Sequence, residues 1–365
     1  MLHTQVFDGH MRSKGTSYSG LAKAPSRPAE ILLAYLSQIR NRQLVPRRAS
    51  TRNHLSGSTE HLHSTLQADL PNIAIITPNF NGRQYVKKFF RAIENVDYPK
   101  EKLTLFFIDN ASRDLSVEQV RKMSQNTNIK IRLIANKSNL GFARSCNLVL
   151  LNRTEHPDFF LIVNNDAEID RDCVRHLVAK MDSDNRIALC EARQLPNAHP
   201  KPFDAATGNT SWCSGATLLM KTAAVQLVGG FDENFFMYCE DVDLSWRMWL
   251  NGFRCVYVPE ATCLHYVSET KDAEAFRVYY RIRNGVFMRW IYGSPFDILF
   301  YHLVTLIRGC AREFKLCLVA RALGGEIKHL PYLMKRRLRL YGLRKKCPFV
   351  GFFGTEYHPP SYSSV

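Results

Sequence analysis

Two short acidic turns are the first places where residue type and spacing could do chemistry. In Asn-Asn-Asp-Ala-Glu (164–168), Asp166 and Glu168 stand one residue apart directly after an apolar run. Positions i and i+2 of an extended segment share a face. The pair could therefore hold one hard cation, Mg2+ or Mn2+, which takes oxygen ligands and keeps sites for phosphate. The same residues also suit an acidic turn, with Asp170 and Asp172 capping the helix that follows. The second turn is Glu240-Asp241-x-Asp243, preceded by Phe-Phe-Met-Tyr. Carboxylates at a helix start can answer the helix dipole. They can instead supply a general base, its pKa raised toward neutrality by a neighbouring like charge. Arg247 and His265 are candidates for meeting phosphate, and each also has a structural reading.

Both turns must be held by a scaffold, and the hydrophobic pattern says which. Apolar runs at 73–77 (IAIIT), 103–109 (LTLFFID), 129–135 (IKIRLIA) and 159–164 (FFLIVN) each precede an amphipathic stretch. Repeated β-then-α units predict a largely parallel sheet covered by helices, and near-continuous apolar strands fit burial on both faces. Ligands of such folds bind outside the carboxyl ends of the strands. The polar clusters PNFNG (78–82), DNAS (109–112), NKSNLG (136–141) and NNDAE (164–168) fall there. Beyond Asp182 the alternation weakens. SGATLLMK (214–221) leads into a short helix, a helix is expected from about Asp241 to Leu250, and RCVYVP (254–259) reads as a strand ahead of a helical, basic region from Ala273. Residues 1–70 read as a basic extension with one short helix near 31–39, residues 71–270 as the sheet domain, 271–345 as the helical region and 346–365 as a tail.

Composition narrows the function classes. Of 365 residues, 45% are hydrophobic and 22% charged, so a fully disordered chain is excluded. The net charge of +16 is uneven: 9 Lys/Arg against 4 Asp/Glu in 1–70, 23 of each in 71–270, and 17 against 6 in 271–365. A neutral middle between basic ends argues against a nucleic-acid-binding core and for an anionic membrane surface or a phosphate-bearing substrate. The ten cysteines include no CxxC pair, which reads as reduced thiols in a cytoplasmic protein. Cys255, Cys263 and His265 are better explained as a buried strand and its exit than as zinc ligands. No apolar run is long enough to span a membrane, and residues 1–15 lack the apolar stretch of a secretion signal. No GxGxxG follows the first strand and no GxxxxGK[ST] exists, which disfavours a Rossmann dehydrogenase and a P-loop NTPase.

The ordered run PNFNG, DNAS, NLGFARSCN (139–147), NNDAEI, GGFDENFFMYCEDVDLSWRMWLNGFR (229–254) and His265 resembles the family-2 glycosyltransferases. Within them it looks most like the bacterial rhamnosyltransferase-type branch, which the YYRIRN stretch (279–284) also fits. The resemblance covers residues 72–285. It implies the GT-A fold, an α/β architecture with a mostly parallel central sheet, here followed by basic helices. It also implies inverting transfer of one sugar, rhamnose first, from a dTDP- or UDP-linked donor to a saccharide acceptor.

By the same resemblance, Pro78, Asn79, Asn81, Asp109 and Asn110 match positions that hold the nucleotide. Asn139 and Gly141 match the turn packed over it, and Asn165 and Arg247 extend the donor site toward the diphosphate. Asp166, Glu168 and His265 match the metal-facing positions, for Mg2+ or Mn2+, and Asp241 the catalytic base, with Glu240 beside it. Two departures are visible: the DxD motif is Asp-Ala-Glu, and Leu115 stands where many members have Gly. The Gln-x-x-Arg-Trp of processive synthases is absent, which favours single-sugar transfer. Phe296–Leu306 and the basic segments 335–339 and 344–346 are expected to lie on an anionic membrane, the inner face of the cell membrane, beside a lipid-linked acceptor. The alternatives are a sugar-phosphate nucleotidyltransferase, for which PNFNGRQ is poor in Gly and Arg, and an inactive GT-A-fold binding protein, which intact Asp166, Glu240 and Asp241 disfavour.

Overall fold

A computed structural model describes residues 70–154, 156–197, 201–266, 271–311 and 316–344. The expected extension and short helix before residue 70, and the tail with its basic residues 345–346, lie outside the described residues. One eight-stranded sheet runs in the order β3-β2-β1-β4-β7-β6-β8-β5. Its first half comprises β1 (Ile73–Asn79), β2 (Leu103–Asp109), β3 (Lys130–Ala135) and β4 (Phe159–Val163), all parallel. β7 (Thr217–Lys221) turns the direction, pairing antiparallel with both β4 and β6 (Ile187–Leu195). β8 (Arg254–His265) runs parallel to β6, and the three-residue β5 (Ala167–Ile169) closes the edge antiparallel to β8. The sheet is therefore mixed but mostly parallel, as expected: β1 to β4, β6 and β8 share one direction, and β7 and β5 oppose it.

Alternation along each strand divides the core into two layers. On β1, Ile73 and Ile75 face one layer, with Phe89, Phe90 and Ile93 of helix α1 (Arg83–Asn95) and Val120 of α2 (Ser116–Ser124). Val86, Phe89, Phe90 and Ile93 recur at the i, i+3, i+4, i+7 spacing that gives a helix one apolar face. Burying each such aromatic ring stabilises the fold by roughly 1.5–3 kcal/mol. α4 (Cys173–Asp182) joins this layer. Ala74 and Ile76 face the other layer, with α3 (Gly141–Leu150), α5 (Thr222–Val228), α6 (Glu240–Leu250), α7 (Lys271–Tyr292) and α9 (Leu316–Arg344).

This arrangement creates the crevice. From β1 the chain builds outward to β2 and β3, then returns to place β4 on the opposite side of β1. Connections that leave a sheet in opposite directions open a cleft at the carboxyl ends of the central strands. There, β1 ends at Asn79, and β4 at the turn holding Asn164, Asn165 and Asp166. Leu115, at a position where a glycine would be relaxed, takes φ 64, a left-handed conformation that costs roughly 1–2 kcal/mol.

β8 extends past the expected 254–259 to His265, because its second half pairs with β5 and with the end of β6. Cys255 and Cys263 are buried strand residues, and the described cysteines form no disulfide. The helix α8 (Pro295–Ala311) completes the C-terminal region. Two arginines of the basic run 335–339 turn inward: Arg336 pairs with Asp232 (2.8 Å) and Asp243 (2.7 Å), and Arg337 donates to the carbonyls of Trp290 and Gly293. Buried carboxylates on α6 and its preceding loop require cations, and α9 supplies one, so this run is not wholly available to a membrane.

Candidate active site at the carboxyl edge of the sheet

At the ends of β1 and β2, Asn79, Asp109 and Asn110 are almost wholly buried. Asn79 Nδ2 donates to Asp109 Oδ1 (2.8 Å) and Ser112 Oγ (3.1 Å), while Asn165 Nδ2 donates to Asn79 Oδ1 (2.6 Å). Ser112 N donates to Asp109 Oδ2, Asn81 N to Ser112 Oγ, and Arg113 N to Asn81 Oδ1. Asn110 Oδ1 accepts from Asn136 Nδ2 (3.0 Å) and Ser145 Oγ (2.8 Å). Asn139 Oδ1 accepts from Gly141 N (2.9 Å), so the NLG turn is stitched to the same network through its neighbours. Pro78 is half-buried at the end of β1, opposite Ile108. These side chains bond chiefly to one another, which fixes three backbone turns around one crevice. Gly82 is required for this closeness: a Cβ there would lie 2.5 Å from Asn79 Oδ1 and closer still to Asn165 Nδ2.

The acidic turn after β4 differs from expectation. Asp166 Oδ1 lies 3.3 Å from His265 Nε2, and His265 Nδ1 lies 2.8 Å from Gln194 Oε1. Glu168 instead faces Lys88, 3.9 Å away, whose ammonium also bonds Tyr266 Oη and lies over its ring. Asp166 precedes β5, which begins at Ala167, so the shared-face rule for extended residues does not apply to the pair. Among the described residues no three His, Cys, Asp or Glu side chains converge on one point. Of the three residues expected to face a metal, the structure brings Asp166 and His265 together and leaves Glu168 beside Lys88.

From His265 a hydrogen-bonded chain leads to the second acidic turn. Gln194, buried on β6, donates from Nε2 to Ser214 Oγ (3.1 Å). Next in sequence, Gly215 N donates to Asp241 Oδ2 (3.1 Å), and Val242 N donates to Asp241 Oδ1 (2.8 Å). Ser214 N is held by Glu191 Oε2 (2.7 Å), itself paired with the buried Lys201. Asp241 is half-buried at the start of α6, beyond Tyr238 and Cys239, both in left-handed conformation (φ 69 and 68).

Glu240, beside it, is buried, and its Oε2 has no hydrogen-bond partner among the described residues. Burial first, then the charges of Asp241 and Asp243, push its carboxyl well above the usual range. The structure thus places Glu240 inside the protein behind Asp241.

Arg247 does not join the site. It lies six positions after Asp241, about 240° round the helix, and four after Asp243. Its Nε bonds Asp243 Oδ2 (2.7 Å) and its Nη1 the carbonyl of Val228 (2.9 Å), both inside the protein. Burial would raise the Asp243 carboxyl, but Arg247 and Arg336 outweigh it and hold it low. Sequence reasoning missed Ser112, Asn136, Ser145, Gln194 and Ser214. Ser112, in DNAS, Asn136, in NKSNLG, and Ser145, in NLGFARSCN, stood inside motifs that could have flagged them; Gln194 and Ser214 did not.

Comparison with known proteins is consistent with this geometry. The family model for glycosyl transferase family 2 matches residues 74–243, and that for glycosyl transferase family group 2 matches 159–335. The N-acetylglucosaminyl-diphospho-decaprenol L-rhamnosyltransferase of Mycobacterium tuberculosis is 53% identical over 55 residues, 15% of this chain and 18% of that protein. Rhamnosyltransferase WbbL of Escherichia coli is 46% identical over 55 residues, 15% of this chain and 21% of its own. The chain thus matches about a fifth of the length of these curated relatives. A mannosyltransferase from Pyrobaculum calidifontis, solved with GDP-Man and Mn2+, superposes with a TM-score of 0.53 at 19% identity, covering 87% of this chain and 95% of its own. That likeness gives the GT-A fold. With the crevice, the two acidic turns and the family models in agreement, the chain belongs to the family-2 glycosyltransferases, of rhamnosyltransferase-like type.

Proposed function

We propose that the protein moves one sugar, rhamnose first among the candidates, from a dTDP- or UDP-linked donor to a saccharide acceptor carried on a lipid, with inversion, in the building of a cell-surface glycan. The observation that carries this reading is the chain of contacts that joins Asp166, through His265, Gln194 and the Ser214-Gly215 peptide, to Asp241. It sets a donor-facing carboxylate and an acceptor-facing carboxylate on one rigid frame. The knotted turns around Asn79, Asp109 and Asn110 shape the nucleotide end. Asp241 takes the proton of the acceptor hydroxyl as that oxygen attacks the anomeric carbon from the face opposite the diphosphate. General-base assistance is worth about 10²–10⁴ in rate.

A carboxylate oxygen and an imidazole nitrogen 3.3 Å apart suit a divalent cation that draws its other ligands from a diphosphate. Asp166 and His265 would hold Mg2+ or Mn2+, which would neutralise charge gathering on the departing nucleoside diphosphate.

The setting proposed is the inner face of the cell membrane. No described helix is long and apolar enough to cross a bilayer. α8, however, exposes Phe296, Leu299, Phe300, Leu303, Leu306 and Ile307 at helical spacing, a stripe suited to lying in the interface. Nucleotide release from dTDP-, UDP- and GDP-sugars with Mg2+ or Mn2+ tests the donor reading. Metal-dependent release from one donor, lost in Asp166→Asn, supports it. Silence across the panel with no nucleotide binding by calorimetry refutes it and favours an inactive binding protein.

A further inference from the structure

With Arg247 inside the protein, positive charge for a diphosphate must come from elsewhere, and α7 brings it. This helix is clamped onto the turn before Asp241. Asn284, fully buried, donates from Nδ2 to the carbonyls of Met237 and Tyr238, at 2.7 Å each, and Arg283 donates to that of Asn234 at 2.8 Å. One and two turns earlier on α7 stand Arg281 and Arg277, four residues apart and so on one face. The Arg281 guanidinium lies 5.5 Å from the centre of the Tyr238 ring and is exposed, and it pairs with no carboxylate among the described residues.

Tyr238 stands at the meeting point of the charges. Its phenol is pushed up by burial, with Glu240 and Asp166 adding to the effect and Arg281 and Arg277 opposing it. The ring belongs to the residue two before Glu240 and three before Asp241, with the Arg281 guanidinium over it. Beside it, Tyr280 of α7 stacks on Phe236 at 5.1 Å, and the Phe236 carbonyl accepts from Phe142 N next to Gly141. α7 thus packs an aromatic ring against the Phe236 segment that meets the Gly141 turn, with the exposed Arg281 guanidinium nearby. Guanidinium groups recognise phosphate oxygens through charge-assisted, often bidentate, hydrogen bonds.

We propose that Arg277, Arg281 and the Tyr238 hydroxyl form a shelf that binds a diphosphate at the cleft between Asp166 and Asp241; this rests on the glycosyltransferase reading. Two diphosphates have that chemistry, the nucleoside diphosphate of the donor and an isoprenoid diphosphate on the acceptor. The test is calorimetric titration of the full chain with dTDP and UDP in the presence of Mn2+, and separately with farnesyl diphosphate and farnesol. Wild type is compared with Arg277→Ala/Arg281→Ala, with Arg281→Lys and with the exposed Arg121→Ala as a charge control.

The expected result is a loss of about ten- to a hundredfold in affinity for one diphosphate class in the double variant, the size of one or two charge-assisted hydrogen bonds. Arg281→Lys should recover part of it, and Arg121→Ala should change nothing. Loss confined to farnesyl diphosphate assigns the shelf to the acceptor, and loss confined to dTDP or UDP assigns it to the donor. Unchanged affinity for both classes in a double variant that melts like wild type overturns the shelf and leaves the donor site standing. A wild type that binds no diphosphate at all overturns the shelf and the glycosyltransferase reading together.

Discussion

Gly141 and Gly229 allow the cost of a left-handed backbone to be separated from the cost of crowding. Both have positive φ, 77 and 83. Around Gly229, the C-cap of α5, an added Cβ would meet nothing within 4 Å. Gly229→Ala should therefore cost only the left-handed penalty of about 1–2 kcal/mol. At Gly141 the same Cβ would lie 2.7 Å from Phe236 Cδ2 and closer still to the Phe236 carbonyl oxygen, which accepts from Phe142 N at 2.7 Å. Backbone must shift there, adding about 0.5–1.5 kcal/mol for a weakened hydrogen bond and about 1–3 kcal/mol for overpacking. Gly141→Ala should thus exceed Gly229→Ala by roughly 2–4 kcal/mol, or about 4–16 °C in Tm for a domain of this size. Gly141 also lies in the turn bonded to Asn110 through Leu140 and Ser145, so only Gly141→Ala should weaken nucleotide binding. Thermal melts and dTDP or UDP titrations of both variants check this. Equal losses in Tm, with nucleotide affinity untouched in both, would refute the claim that this glycine is required by close approach.

Arg336→Met removes the shared partner of Asp232 and Asp243 and should cost about 3–5 kcal/mol, seen as a marked drop in Tm; a shift under about 2 °C would contradict the pairing. Asp184 should contribute to acid stability: burial would raise its pKa, but Arg186 and Arg254 outweigh burial and hold it at about 2, against 3.8 unperturbed. A depressed carboxylate stabilises above its unfolded pKa and loses that contribution as pH falls through the folded one. Asp184→Asn should therefore lose less stability than wild type between pH 4 and 2 in melts. Leu299→Asp/Leu303→Asp, at positions 70% and 54% exposed, should abolish sedimentation with phosphatidylserine vesicles while leaving Tm within a few degrees; undiminished sedimentation would remove α8 as the contact.

What the sequence made legible followed from local pattern. The apolar runs of β1 to β4 and the amphipathic faces of α1 to α4 are properties of neighbouring residues. So are the polar turns at the strand ends, and the parallel run of β1 to β4 and its crevice came with them. What escaped depends on the phase of an element or on distant partners. Asp166 and Glu168 part because β5 starts between them. Arg247 faces inward because six residues turn a helix well past its starting side. His265 meets Gln194 across 71 positions and Arg336 meets Asp243 across 93, and no local rule foresees either contact. Leu115 is instructive in the opposite sense: its place in the motif pointed to a glycine, and its left-handed backbone shows why one would fit.

In the function proposed above, Asp241 acts on the acceptor and not on the nucleotide. The most direct measurement compares Asp241→Asn with wild type for sugar transfer and, separately, for nucleotide affinity by calorimetry. Asparagine keeps the shape and can still accept the Gly215 hydrogen bond, but it is a far weaker base. Loss of the base should lower kcat by about 10²–10⁴ and leave nucleotide affinity unchanged within a few-fold. Transfer within tenfold of wild type, or a parallel collapse of nucleotide binding, would contradict it.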